Sequence, residues 1–158
     1  MHLRALAVAA VMTAAVACAA RGGGLELVVA DVGGARILHA ERVAPGARFV
    51  LAYVHSSEHV PVRGTFEVGA DGRLTVVETA FAGFGPGLPE LREGDRWTSE
   101  GGMFVHIPEP HPMDELTVRV APTTRHTLRL PSGHTLDLSA TMGPGGAIRL
   151  AVRPVRPR

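Results

Sequence analysis

The chain has 158 residues, of which 16 are basic and 15 acidic, for a formal net charge of +1 at neutral pH. That length suits one domain with a real hydrophobic core and leaves no room for a second. Every basic residue is arginine, none gathers into the stripe that nucleic-acid binding needs, and beyond residue 17 fifteen arginines balance fifteen acids, so neither nucleic acid nor an anionic membrane surface is indicated as a partner.

The start, Met1-His2-Leu3-Arg4, is followed by an uncharged run from Ala5 to Ala17 and then by Cys18-Ala19-Ala20-Arg21-Gly22-Gly23-Gly24. A positive segment, a short apolar core and small residues at its exit form the three-part pattern of an export signal. As a helix the 13 apolar residues reach roughly 20 Å, short of the ~30 Å of a bilayer core, which favours a cleaved signal over a permanent span. Two processing readings stand. Ala17-Cys18-Ala19 suits an ordinary signal peptidase, whereas Ala15-Val16-Ala17-Cys18 resembles a bacterial lipobox with Ala15 in place of the preferred leucine. In the second reading Cys18 is the lipidation site and the glycines form a tether, so the membrane is touched only through the signal or the lipid anchor. As the lone cysteine, Cys18 also excludes an intrachain disulfide and any multi-cysteine zinc site. The expected organisation is a signal over 1–19, a Gly-rich tether over 20–24, a β domain over 25–152 and a coil tail over 153–158, in a periplasmic or otherwise extracytoplasmic protein.

From Leu25 onward short apolar runs alternate with period two and are interrupted every 8 to 12 residues by Gly, Pro or Asp. The pattern predicts an all-β domain, a single antiparallel sandwich or partly open barrel of about 8–10 short strands. In chain order these strands are Leu25–Asp31, Arg36–Val43, Ala47–His55, Val62–Val68, Arg73–Phe81, Met103–Ile107, Glu115–Val120, Arg125–Leu130, His134–Leu138 and Ala147–Val152. Val32-Gly33-Gly34-Ala35, Gly69-Ala70-Asp71-Gly72 and Pro131-Ser132-Gly133 read as tight turns. In Ala47–His55, Phe49, Leu51, Tyr53 and His55 fall on one face and Val50, Ala52 and Val54 on the other, as in a central strand covered on both sides. The longest irregular stretch is Ala82–Gly102, with one short helical turn expected within Pro89–Glu100 and with Trp97 packed over an end of the sheet.

The densest run of functional side chains is Tyr53-Val54-His55-Ser56-Ser57-Glu58-His59-Val60-Pro61, at the end of the expected central strand. His55, Glu58 and His59 are weak metal-ligand candidates: two imidazoles and a carboxylate suit a borderline metal, but no strict ligand spacing accompanies them. His39, His106, His111, His126 and His134 lack a spacing that would join them to this run, and a hydrogen-bonded structural role is the plainer reading of each. Ser56 or Ser57 with His55 and an acid such as Glu58 or Glu78 would make a nucleophilic arrangement, against which stands the absence of a Gly-x-Ser-x-Gly elbow. Glu78 is expected to share a face with Leu74 and Val76, either at the sheet rim or as a buried acid with a partner.

Tyr53-Val54-His55-Ser56 with Glu58 and Pro61-Val62, then Glu78-Thr79, Phe81 and Gly85-Pro86-Gly87-Leu88-Pro89, then Arg125-His126-Thr127-Leu128, resemble the domain of unknown function 1850 family of small bacterial and archaeal proteins. The resemblance runs from about Leu25 to Val152. Pro86 stands where the family more often has alanine, and His59 replaces a different polar residue. The resemblance implies no reaction. It does imply a neighbourhood, because members are often encoded beside the solute-binding protein and fused membrane subunit of TAXI-type tripartite transporters. The leading expectation is therefore a non-enzymatic exported accessory of such a transporter, with Tyr53, His55, Ser56, Glu58, Glu78, Gly85, Gly87, Leu88, Pro89 and His126 as candidate ligand- or partner-binding residues and no cofactor. A small-ligand or metal-binding β module is the alternative, and a hydrolase or other enzyme ranks last.

Overall fold

The computed structural model describes residues 24–90 and 92–155. Cys18, the 1–19 signal, most of the 20–24 tether and the last three residues lie outside the described residues. Among the described residues eleven strands form two antiparallel sheets stacked as a sandwich rather than a closed barrel, with a three-residue 3-10 helix, Pro122–Thr124, and one five-residue α-helix in the connections.

The smaller sheet holds β1 (Leu25–Asp31), β2 (Ile37–Val43), β8 (Glu115–Arg119) and β11 (Ala147–Pro154), in the order β2-β1-β11-β8. The larger holds β3 (Arg48–Val54), β4 (Pro61–Val68), β5 (Leu74–Phe81), β6 (Arg96–Glu100), β7 (Met103–Ile107), β9 (Thr127–Arg129) and β10 (Thr135–Asp137), in the order β10-β9-β3-β4-β5-β7-β6. Alternation drives the stacking. Leu27 and Val29 of β1 and Ile148 and Leu150 of β11 face Phe49 and Leu51 of β3 and Phe66 and Val68 of β4, all buried, with the rings of Phe49 and Phe66 stacked at 5.1 Å.

All ten strands expected from period two form, with ends displaced by at most two residues. The turns expected at residues 69–72 and 131–133 close with Gly72 at φ 78° and Gly133 at φ 87°, conformations that a side chain would strain. Four expectations need correction. Among the described residues of the segment Pro89–Glu100 no helical turn forms; the segment ends in an additional strand, β6, the edge of the larger sheet. The helix, α1, instead spans Leu138–Met142, where Asp137 accepts the N–H of Ala140 in an N-cap. β3 is interior, but β4 is the central strand of the seven, and β3 packs on one face only, with Val50, Ala52 and Val54 left half-buried. Finally, β11 continues to Pro154, and Arg153, expected in the coil tail, pairs with Glu26 at 2.8 Å.

Seven strands cannot be covered by four. Beyond the main core, the inner face of β5, β7 and β6 is closed by the chain segment after β5, whose Leu88 joins Val62 and Phe81 in a second buried cluster flanked by Tyr53, Val60 and Trp97. Tyr53 packs against both clusters. The functional site candidates gather where the two coverings meet.

Candidate functional site

β3 ends at Val54, and the turn that follows is built around His55. The His55 backbone N–H donates to the Val60 carbonyl at 2.8 Å, and its own carbonyl accepts from the His59 N–H at 3.0 Å. Its ring is engaged on both sides. Nδ1 accepts from the Glu58 N–H at 3.3 Å and lies 3.3 Å from the Ser57 hydroxyl, while Nε2 is 3.0 Å from the Pro86 carbonyl. A carbonyl only accepts, so the proton sits on Nε2 and the imidazole is neutral in this arrangement. His55 is thus a bridge between the strand-end turn and the Gly85–Pro89 loop, two segments 31 residues apart.

The loop is shaped to meet that bridge. A Cβ on Gly85 would come within 2.7 Å of the Glu58 Cδ, so only glycine lets the backbone pass this close to the Glu58 side chain. Leu88 anchors the far side, 6% exposed, against Val62 and Phe81. Around it Phe81, Phe84, Trp97 and Phe104 make a chain of ring contacts, with Phe84 and Phe104 at 4.7 Å. Phe84 and Phe104 keep 54% and 40% of their surface exposed, an apolar patch beside the loop.

Two cavities open on the inner face of the larger sheet, with Tyr53 and Thr79 in the walls of both. The first, of about 610 Å³, lies between the sheets at the β8 edge and is lined by Tyr53, His55, Ser56 and His126 among others. His126 is 6% exposed and stacks on the Tyr53 ring at 4.9 Å. The Thr124 hydroxyl donates to the Ala121 carbonyl at 2.8 Å, which leaves its oxygen to accept the Nδ1–H of His126 at 2.7 Å and puts the lone pair on Nε2. Burial holds the His126 ring below its ordinary pKa and raises that of the Tyr53 hydroxyl, so both are neutral near pH 7.

The second cavity, of about 740 Å³, lies under the loop and includes Gly87, Leu88 and Pro89 in its wall. Across it stands a hydrogen-bonded pair that the sequence did not single out: His106 Nε2 and Asp95 Oδ2 at 2.7 Å, both side chains at least nine-tenths buried, with Trp97 stacked on the imidazole at 4.4 Å. The hydrogen bond from His106, joined by one from the Glu109 N–H, holds the Asp95 carboxyl below its usual range. Asp95 stands just before β6 and His106 eleven positions on in β7, and no motif marks the spacing. Only the pairing of β6 with β7, which sets Trp97 opposite His106, brings them together.

Of the candidates read from the sequence, Tyr53, His55, Ser56 and His126 converge on the inter-sheet cavity, and Gly87, Leu88 and Pro89 on its neighbour. Gly85 and Glu58 lie at the latch between turn and loop. His59 is exposed, at φ 53°. Glu78 corrects the expectation of a face shared with Leu74 and Val76. A β-bulge leaves Val77 unpaired, so Phe66 opposes Val76 while Thr65 opposes Glu78, and Glu78 turns to the outer face, accepting from the Thr65 hydroxyl at 3.2 Å. Neither the carboxylate of Glu58, which meets the Ser57 hydroxyl at 3.2 Å, nor that of Glu78 orients the His55 ring. Among the described residues no three His, Cys, Asp or Glu side chains come together at metal-binding distance.

Compared with known protein families, residues 49–138, more than half of the chain, match the family described as Domain of unknown function (DUF1850). That stretch runs from β3 to the start of α1 and contains the latch, the loop and most of both cavity walls. Neither a curated protein nor a solved structure matches the chain.

Proposed function

Since the chain belongs to the DUF1850 family of domains of unknown function, we propose that it is an exported, non-enzymatic accessory of a TAXI-type tripartite transporter, docking through the latched Gly83–Pro89 loop. Three things support this reading: the export-signal pattern over residues 1–19, the transporter neighbourhood that the family resemblance implies, and the geometry of the loop. The last carries most. His55 ties the loop to the strand-end turn, Leu88 roots it in the second cluster, and the Phe84–Phe104 pair stands exposed beside it. A loop held at both ends offers aromatic groups to a partner with little ordering cost, and exposed aromatics over a rigid base are characteristic of binding hot spots. The partner is the solute-binding protein or the membrane subunit, reached in the periplasm, from free or lipid-anchored protein.

The test is recovery of transporter subunits from detergent-solubilised membranes by the tagged mature protein. The wild type is expected to retain one subunit, and Phe84→Ser with Phe104→Ser to lose at least about nine-tenths of it, in keeping with the loss of two hot-spot aromatics. His55→Ala is expected to give an intermediate loss, because it frees the loop without removing the aromatics. Recovery of no transporter subunit by the wild type would overturn the proposal.

A further inference from the structure

The inter-sheet cavity has features that docking through the loop leaves unused. Its floor is Gly64, in the middle of the central strand β4 and fully enclosed by neighbours. Strand interiors disfavour glycine, and where one persists a ligand or another chain commonly approaches the backbone. Here Leu51 and Thr79 flank Gly64 on the neighbouring strands, and the Phe66 ring lies over it, 3.1 Å from where a Cβ would stand, so the close approach at Gly64 is that of Phe66. Leu51, Val62, Phe66, Leu116 and Val118 make the walls apolar.

Two polar groups of the cavity lack a protein partner. Among the described residues neither the Tyr53 hydroxyl nor Nε2 of His126 makes a hydrogen bond. A free acceptor beside a free donor in an otherwise apolar cavity wall is the kind of polar pair that orients a small ligand. The cavity contains no Asp or Glu, and Arg119, at the end of edge strand β8, brings a full positive charge to its mouth with no ion-pair partner among the described residues. The neighbouring cavity is the opposite, with Glu90, Glu93, Asp95 and Glu109 in its wall. Like-charge repulsion disfavours an anion there and leaves the inter-sheet cavity as its site.

We propose that the inter-sheet cavity binds a small amphipathic carboxylate, its apolar body against Leu51, Phe66, Leu116 and Val118 between the sheets and its head group held by Arg119, with Tyr53 donating to it. A protonated head group would in addition donate to Nε2 of His126. At about 610 Å³ the space falls within the range of sites that enclose small organic ligands. The assignment is independent of any transporter partner, so failure of the membrane pull-down leaves it standing, and the reverse also holds.

Titration calorimetry of the mature protein with octanoate, octylammonium and octanol tests it. Octanoate is expected to bind saturably at one site and at least about fivefold more tightly than octylammonium, with Arg119→Gln removing most of that preference. Thr117→Trp, placed on the exposed strand at the mouth, is expected to abolish octanoate binding while leaving the circular dichroism spectrum unchanged. Gly64→Leu drives the Phe66 ring into the cavity and is expected to weaken octanoate binding as well, and should it fail to fold the Thr117 variant decides alone. Absence of saturable octanoate binding, equal binding of octylammonium, or undiminished binding by Thr117→Trp would each overturn the proposal.

Discussion

A histidine whose burial disfavours its charged form reports on pH through the stability of the fold, and His126 is in that position. Its burial lowers the folded pKa, whereas in the unfolded chain the ring titrates near ~6.5. Between those values the unfolded chain holds the proton and the folded one does not. The contribution is therefore whole above about pH 6.5 and is lost as pH falls through the lowered folded value. The urea midpoint is expected to drop between pH 7 and pH 5, and His126→Phe, which keeps an aromatic ring against Tyr53, to show a smaller drop over the same interval. An unchanged drop in the variant would mean that other groups carry it. At this scale the sequence was informative about types and silent about pairings. Tyr53, His55 and His126 stood out as candidates, but the stack of Tyr53 on His126 joins β3 to the connection before β9, and a lone sequence carries no record of that contact. Glu78 was misplaced because alternation was counted straight through a bulge, and Val77, the extra residue, has no glycine or proline to announce it.

Elements were legible in proportion to how much of them is buried. Strands with an inner face of Val, Leu, Ile and Phe alternate visibly, and all ten of these were found. β6 does not, because as the outermost strand it buries little beyond Trp97, and Arg96, Thr98, Ser99 and Glu100 read as loop. α1 is too short for a 3.6-residue stripe, and Leu138 alone is fully buried in it. The loop after β5 has no regular structure, yet it serves as a covering layer. Leu88 is what holds it there, and Leu88→Ala is expected to cost about 2–3 kcal/mol, the lower part of the range for such truncations, since the cluster beneath is small and open on one side. Equilibrium urea unfolding checks this. A change below about 0.5 kcal/mol would assign the loop no part in the core, because changes of that size are what exposed positions give.

For the molecule as a whole, the unequal sheets leave two buried clusters, and Tyr53 packs against both. The main cluster closes four strands over β3, β4 and the neighbouring inner faces, with Leu74 of β5 among them. The second closes the remainder under a loop. Sub-regions with few buried contacts open before the rest of a structure, unless side chains shared with the main core tie the two transitions together. Tyr53 is such a tie, and Trp97, the sole tryptophan, lies beside the second cluster and reports on it. In the wild type the red shift of Trp97 emission is expected to coincide with loss of the far-ultraviolet β signal along a urea titration, as two-state behaviour requires. In Tyr53→Ala the emission change is expected to come first, by on the order of 1 M urea, because truncating the shared ring weakens the smaller cluster more than the larger. If the two signals still coincide in the variant, the clusters are coupled through the continuous β4–β5 pairing instead, and Tyr53 is free to serve the inter-sheet cavity alone.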